Sequence, residues 1–508
     1  MRGITTRKTD LRRRVFAEVA RFAYEGGSKE DFVRIPYKVF PGEDASIRTS
    51  VFLERAVFGE RLRAAMGMPM RQAGDFGLIS DGLELAETGE HYYTPPLINV
   101  IKFACNACPE KRVFVSNGCQ GCIEHPCMEV CPKKAISIVN GRSHIDESQC
   151  IKCGKCTTVC PYGAIIKQER PCAKACGAGA IKSDAKGRAE IDQNKCVGCS
   201  QCLVSCPFAA IVDKGQVYQT IKAIKSDVPV YAAVAPAFAG QVDSPDANEK
   251  VRAVFKRLGF ADAVEVSIGA DLCTVAEARD FADEVPDKLN FMLTSCCPAW
   301  AAFIKKTMPS LAPNISMALT PMVWTARLIK KMHPGCKVAF IGPCTAKKLE
   351  AMRRTIRSDV DFVLTFEEVA GIMDAKGVNP DDIPKEEYLP FNESSGDAWG
   401  FAISGGVAEA VKNVLAKTHP ELEVKMVKAE GLAECKKVLM LAKAGKYNGY
   451  LIEGMGCPGG CVGGAGTIAD PVKANLRVQK TRKDKSAMTP ADSSYLDRLE
   501  DVEERTKE

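Results

Sequence analysis

Short apolar runs recur through the chain beyond residue 216, and three of them lead into cysteine-bearing turns. Residues 228–234, 263–266, 289–293, 337–341, 361–364 and 450–452 are such runs, and short apolar runs bounded by turn residues fit fully buried strands. Stretches between them, for example 299–306 and 432–442, have helical spacing. The alternation predicts an α/β region over 216–478, a mostly parallel sheet covered by helices. Near the N-terminus Leu11, Val15, Val19 and Phe22 share one helical face opposite a row of arginines. That spacing predicts a helix over 11–24, with further helix over about 47–66. Residues 1–98 thus read as a helical packing or docking region without chemistry, and Tyr92, Tyr93, Thr94, Pro95 and Pro96 read as a linker. Residues 479–508, dense in Lys, Arg and Glu, read as a solvated tail or a short exposed helix.

Composition narrows the class. The 508 residues allow three domains at about 150 each. A chain 46% hydrophobic and 26% charged is ordinary for a soluble globular protein, which argues against disorder. No run reaches about 18 apolar residues, so no membrane span is expected. A net charge of +6 is small for this length and gives no reason to expect a nucleic-acid partner. Cysteine is the outlier, with 24 residues, sixteen of them between Cys105 and Cys206. Secreted disulfide scaffolds are usually short and enter through a signal peptide. Arg13-Arg14-Val15-Phe16 faintly resembles a twin-arginine signal, but Glu18 and Arg21 interrupt any apolar region after it. The expectation is a reducing, cytoplasmic setting and metal-bound thiolates.

Residues 99–215 contain an internal repeat. Ile145-Asp146-Glu147-Ser148-Gln149-Cys150 returns as Ile191-Asp192-Gln193-Asn194-Lys195-Cys196. Each opens a C-x2-C-x2-C-x3-C-P run: Cys150, Cys153, Cys156, Cys160, then Cys196, Cys199, Cys202, Cys206. This is the ferredoxin spacing for [4Fe–4S] clusters, whose fourth cysteine serves the neighbouring cluster. Zinc needs only four ligands and no Pro-terminated run. A variant run has Cys119, Cys122, Cys127 and Cys131. Cys172 and Cys176 form a half-run without its leading pair, and Cys105 and Cys108 are the only unassigned pair upstream. Elimination joins those four, giving four accessory clusters. Three is the alternative.

Three of the strand-like runs end in cysteine turns. They are Thr294-Ser295-Cys296-Cys297-Pro298-Ala299-Trp300, then Gly342-Pro343-Cys344-Thr345-Ala346-Lys347-Lys348-Leu349-Glu350, then Glu453-Gly454-Met455-Gly456-Cys457-Pro458-Gly459-Gly460-Cys461. In α/β sheets, sites collect at the carboxyl ends of strands. Cys297, Cys344, Cys457 and Cys461 would supply four thiolates for one more cubane. A cluster that only moves electrons would need nothing else. Cys296, Lys347 and Met455 exceed that need.

These three turns resemble the signature motifs of the [FeFe]-hydrogenases, T-S-C-C-P-x-W, P-C-x-x-K-x-x-E and E-x-M-x-C-x-x-G-C-x-x-G, over about 225–470. With its N-terminal block and ferredoxin-like region, the chain is similar to the monomeric group B branch. The resemblance implies an α/β domain holding an H-cluster between mostly parallel sheets, a ferredoxin-like α+β iron–sulfur domain and the small helical N-terminal region. Cys297, Cys344, Cys457 and Cys461 are implied to hold its [4Fe–4S] part. Cys461 is implied to bridge to a two-iron subcluster carrying CO, cyanide and azadithiolate. Lys347 is implied to hydrogen-bond one cyanide and Thr320 to help hold the other, with Glu350 closing the second motif. Ala235, Pro236, Phe401 and Met455 are implied to line an apolar pocket. Cys296 is implied to relay protons, continued by Glu277 and Asp280 on one helix face, with Ser316 between them. The family's further arginine has no clear counterpart. Gly342, Met322 and the segment after Cys461 depart from the common pattern without touching a ligand.

The leading expectation is therefore a ferredoxin hydrogenase, 2 H⁺ + 2 e⁻ ⇌ H₂, with a ferredoxin-type donor and dedicated maturases as partners. An iron–sulfur assembly protein of the Nar-like type and a catalytically weak hydrogen sensor are the alternatives. Cys273, Cys336 and Cys435 read as core or edge thiols, and His125 as no cluster ligand.

Overall fold

The computed structural model describes residues 3–71, 74–87, 95–242, 244, 246–353, 355–391, 393–485 and 489–502. Tyr92, Tyr93 and Thr94 of the expected linker, and 486–488 and 503–508 of the expected tail, lie outside the described residues.

Seven strands build the α/β region: β1 Val230–Val234, β2 Asp262–Glu265, β3 Met292–Leu293, β4 Lys337–Gly342, β5 Phe362–Thr365, β6 Lys425–Glu430 and β7 Tyr450–Met455. They form two sheets, ordered β2-β1-β4-β5 and β3-β7-β6, with every pairing parallel. The α/β architecture read from the apolar runs is the architecture observed. Two elements differ. The run at 289–293 yields only Met292–Leu293 as strand, because the Lys288 and Leu289 N–H groups close the end of helix Val266–Glu284 on Glu284 O. Strand β6 was not anticipated: it is a sheet edge whose Lys425, Met426, Lys428 and Glu430 face solvent, so it carries no apolar run.

The first and third cysteine turns leave the neighbouring strands β3 and β7, and the second leaves β4 of the other sheet. Trp300, fully buried in helix Pro298–Thr307, lies flat on β7 at Gly454, where an added Cβ would stand 2.2 Å from the indole ring. That close approach seats the first turn beside the third.

Residues 98–213 fold as two ferredoxin-like units, one inserted in the other. The outer unit pairs Ile98–Val100 with Ile211–Asp213 and Ile181–Ser183 with Ala189–Ile191. The inner unit pairs Arg112–Val115 with Ile165–Gln168 and Ile136–Val139 with Arg142–Ile145. The insertion separates Cys105 and Cys108 from the half-run they lead.

Helix Arg7–Glu25 buries Leu11, Val15, Val19 and Phe22, as its spacing predicts, and packs on helix Phe366–Lys376 of the α/β region. One apolar core runs from these residues into β1 and β4, so the described helices of the N-terminal region are layered on the α/β sheet and share its core. The charged C-terminal segment corrects the expectation of a solvated tail. Helix Pro471–Lys483 begins before residue 479. Arg482 pairs with Asp397 and Glu409, and Lys485 is buried over the Trp399 ring at 4.4 Å. Leu499 and Val502 are buried as well. The charges are numerous because several of them have partners inside the fold.

Gly371 is where the N-terminal helix comes closest, since an added Cβ would lie 2.4 Å from Phe16 Cβ. Gly371→Val should overpack this contact and cost about 1–3 kcal/mol. Limited proteolysis should then release the N-terminal helices faster than in wild type.

Candidate metal centre

All 24 cysteines are free thiols. Among the described residues no three His, Cys, Asp or Glu stand close enough to hold a single metal ion. The thiols instead ring spaces larger than an ion. Cys131, Cys150, Cys153 and Cys156 line one cavity, Cys119, Cys122, Cys127 and Cys160 a second, and Cys105, Cys108, Cys172 and Cys206 a third. Cys176, Cys196, Cys199 and Cys202 lie within mutual electrostatic reach and form a fourth group. This corrects the pairing by elimination. Cys105 and Cys108 do join Cys172, but their fourth partner is Cys206, and Cys176 crosses to the following run. The inner unit crosses in the same way, with Cys160 and Cys131 exchanged. Backbone N–H groups already point at sulfur: Ser143 N–H donates to Cys119 at 3.4 Å, Ala189 N–H to Cys105 at 3.3 Å and Ala180 N–H to Cys176 at 3.3 Å. Such donors favour the thiolate, and those from Gly121 and Ser143 hold Cys119 below its ordinary pKa. Sixteen thiols in four such groups fit [4Fe–4S] clusters.

The three strand-end turns converge likewise. Cys297, Cys344 and Cys457 all lie within electrostatic reach of Cys461. Gly456 N–H donates to Cys297 Sγ at 3.4 Å. Burial pushes Cys344 up to about 12 and Cys461 well above its ordinary value. Thiols gathered this closely become thiolates together only around metal, which deprotonates them outright. The donor set therefore fits a fifth cubane.

Beside these sulfurs lies an apolar cavity of about 60 Å³, lined by Ala235, Pro236, Phe401, Met455, Cys296 and Lys347 among others. Lys347 Nζ donates to Glu350 Oε2 at 2.7 Å and to Cys296 O at 3.2 Å. Burial would lower its pKa, yet the Glu350 carboxylate holds it above its ordinary value. Thr320 Oγ1 donates to Glu350 Oε1 at 2.6 Å, so this hydroxyl braces Glu350 and its proton is engaged there, away from the ligand expected of it.

Behind the cavity, burial pushes the Cys296 thiol well above its ordinary value, and the charges of Glu277, Cys297 and Glu453 add to this. Glu277, fully buried, accepts from Ser295 N–H at 2.8 Å and Ser295 Oγ at 3.0 Å through Oε1, while its Oε2 has no hydrogen-bond partner among the described residues. Burial pushes Glu277 up to about 7, with Asp280 and Glu453 contributing. Asp280 Oδ2 accepts from Ser316 Oγ at 3.4 Å. The structure thus links Cys296, at the cavity wall, to Glu277, Asp280 and Ser316 by successive electrostatic and hydrogen-bond contacts. Sequence reasoning missed Ser295, which anchors Glu277, and Glu453, whose carboxylate accepts from Gly405 N–H and Ala408 N–H at the start of helix Gly406–Thr418. Both stand inside the quoted motifs, but nothing in their spacing shows which helix they meet.

Comparison with known proteins agrees with this geometry. The family described as "Iron only hydrogenase large subunit, C-terminal domain" matches residues 228–465, and a "4Fe-4S binding domain" matches 142–165 and 188–211. The periplasmic [Fe] hydrogenase large subunit of Nitratidesulfovibrio vulgaris is 32% identical over 371 residues, 64% of this chain and 86% of that protein. The NADP-reducing hydrogenase subunit HndD of Solidesulfovibrio fructosivorans is 27% identical over 370 residues, and the match spans 56% of its length. The cytosolic iron-sulfur assembly component 3 of Rattus norvegicus is 23% identical over 281 residues, 46% of this chain and 59% of that protein. No helix among the described residues is long and apolar enough to cross a membrane.

A carboxyl raised from 4.5 to about 7 is protonated below that value and charged above it. Its contribution to folding stability accordingly falls as pH rises through that window. Infrared difference spectra between about pH 5 and about pH 9 should show a buried carboxylic-acid band vanishing at high pH. Glu277→Gln should abolish that band.

Proposed function

The chain belongs to the iron-only hydrogenase large-subunit family, and on that premise we propose that it is an iron hydrogenase of the monomeric group B type. It interconverts protons and H₂, 2 H⁺ + 2 e⁻ ⇌ H₂, with electrons from a ferredoxin-type carrier. The observation that carries the reading is half-buried Cys296 beside buried Glu277, next to the four convergent thiols, since holding a cluster requires neither. Cys297, Cys344, Cys457 and Cys461 would hold the H-cluster, which when bound supplies the electrons and the iron position where H₂ is handled.

The chain's own residues do the rest. Lys347, charged and braced by Glu350 and Thr320, presents an ammonium to anionic ligands at the cavity wall. Pro236, Phe401 and Met455 exclude water, which strengthens that interaction. Cys296 holds a proton at Sγ facing the cavity. Glu277, poised near neutrality, passes protons to and from it, because an acid–base group works best with a pKa close to the working pH. Asp280 and Ser316 continue the path outward.

The accessory rings support a wire. Thr345, next to Cys344, donates its hydroxyl to Gly198 O at 2.8 Å, fixing the second cysteine turn against the Cys199 loop. Cys199 lies within electrostatic reach of Cys344. At the far end Cys153 is exposed, which suits a one-electron carrier docking from solution. The proposed setting is the cytoplasm, with hydrogenase maturases as partners and no nucleic acid or membrane.

Relatives named for iron–sulfur assembly support a second reading, a chain with clusters and no turnover. Cys296, Lys347 and Met455, all at the cavity wall, favour the enzyme. With maturated protein, Cys296→Ala should leave iron content unchanged and cut H₂ evolution by at least ~100-fold, the usual scale for losing an acid–base group. An iron-loaded wild type that evolves no H₂ would favour the assembly reading.

A further inference from the structure

The helices of residues 1–98 contribute nothing to the cavity, yet their cations converge on one cysteine ring. Lys8 Nζ donates to Val204 O at 2.6 Å and to Cys206 O at 3.4 Å. Arg48 Nη2 donates to Phe208 O at 2.8 Å, and Arg61, buried in helix Val51–Ala65, donates to Ala209 O. Three cations thereby clamp the segment 204–209 that carries Cys206, and the Cys206 thiol lies within electrostatic reach of each. A fourth cation approaches from the opposite side of the ring. Arg170, also buried, donates from Nε and Nη2 to Cys108 O at 3.1 and 2.8 Å.

The carboxylates nearest this group are otherwise engaged. Glu367 is held by Arg12 at 2.7 and 2.6 Å, and Glu54 accepts from the backbone N–H groups of Ser46, Ile47 and Arg48. Among the described residues no carboxylate lies within ion-pair distance of Lys8, Arg48, Arg61 or Arg170. Burial and neighbouring Arg12 and Arg48 pull Arg61 down to about 9, which leaves it charged at neutral pH. The other rings are poorer in cations. Lys306 bonds Cys196 O at 2.6 Å and Lys167 bonds Cys153 O at 3.3 Å, both from exposed positions.

We propose that residues 1–98 act as a redox-tuning collar, making the cluster held by Cys105, Cys108, Cys172 and Cys206 the highest-potential accessory cluster and a store for one electron. The inference rests on the reading above that these rings hold [4Fe–4S] clusters. Reduction, [4Fe–4S]²⁺ + e⁻ → [4Fe–4S]⁺, adds one negative charge, which buried cations stabilise, and net charge and exposure are levers on cluster potential. The electron comes from a reduced neighbouring cluster, which returns to its oxidised state, and no proton is needed. The next ring toward Cys344 meets the exposed Lys306 in place of a buried clamp, so the same levers place that cluster lower. H₂ formation takes two electrons and a one-electron carrier brings them singly. An electron waiting one cluster from the catalytic centre lets the second complete the pair.

The test is an EPR-monitored redox titration of the full chain reconstituted with iron and sulfide. Cys105→Ser should lose about four irons and the signal that appears first on reduction. Unchanged iron content would overturn the cluster reading itself. Arg61→Met should keep wild-type iron content while the first signal moves to lower potential. The expected change is at least tenfold in its reduced-to-oxidised ratio at fixed poise, about 59 mV for a one-electron couple. Arg61→Lys should restore most of it. Lys8→Met removes a half-exposed cation and tests the same claim without disturbing the core. A first midpoint unmoved in Lys8→Met, with iron content intact, would overturn the collar and leave the clusters standing.

Discussion

A thiolate is tolerable inside a protein only beside positive charge, and this fold gathers twenty of its thiols into groups of four. Burial alone drives Cys199, Cys344 and Cys461 toward the protonated form. Metal reverses that preference, so the ferredoxin-like units and the meeting of the two parallel sheets are organised around sites that metal completes. The two halves are tied where their cysteine loops meet, through the Thr345 hydroxyl, which bonds Gly198 O and pairs with Ser200 Oγ at 2.7 Å. A buried cluster of charges reinforces the junction. Lys348, from the second turn, bonds Asp213 of the ferredoxin-like region and Glu368 of helix Phe366–Lys376 at 2.9 Å each. Breaking one partner of such a network strands a buried charge, so the loops are held in register by more than packing.

Within the central turn, the tandem cysteines face different surroundings, as the proposed function requires. Cys297 starts a helix and receives a backbone N–H at sulfur, as a ligand should. Cys296 lines the cavity instead, next to a carboxyl with one unpartnered oxygen. A strand end that turns into a helix presents neighbouring side chains in different directions, which is how one dipeptide serves both purposes. The Ser295 N–H and hydroxyl fix Glu277 behind it, so in the proposed function three consecutive residues of the turn would carry ligand, proton and orientation.

Much of this was legible in the chain. Apolar runs ending in Cys297, Cys344 and Cys457 pointed to strand ends, and the strands are there. What the chain hid has physical reasons. Strand β6 is an edge with solvated side chains, so it lacks the apolar signature. The crossed pairing of Cys176 and Cys206 repeats the exchange of Cys131 and Cys160 in the inner unit, and it was hidden because the inserted unit separates Cys105 and Cys108 from their half-run. Thr320 braces Glu350, a contact made across 30 residues. The charged C-terminal segment is docked because Arg482 and Lys485 meet partners far away in sequence. Of the arginines opposite the apolar face of the first helix, Arg12 is buried against Glu367, a partner 355 residues away.

The account stands on the claim that the space between the two sheets holds a hydrogen-handling iron centre and does more than carry electrons. An infrared spectrum of protein produced together with hydrogenase maturases tests that most directly. The account predicts stretching bands of iron-bound CO and cyanide, with the cyanide bands shifting in Lys347→Met. Iron-loaded protein without such bands would contradict it and leave a cluster scaffold in its place.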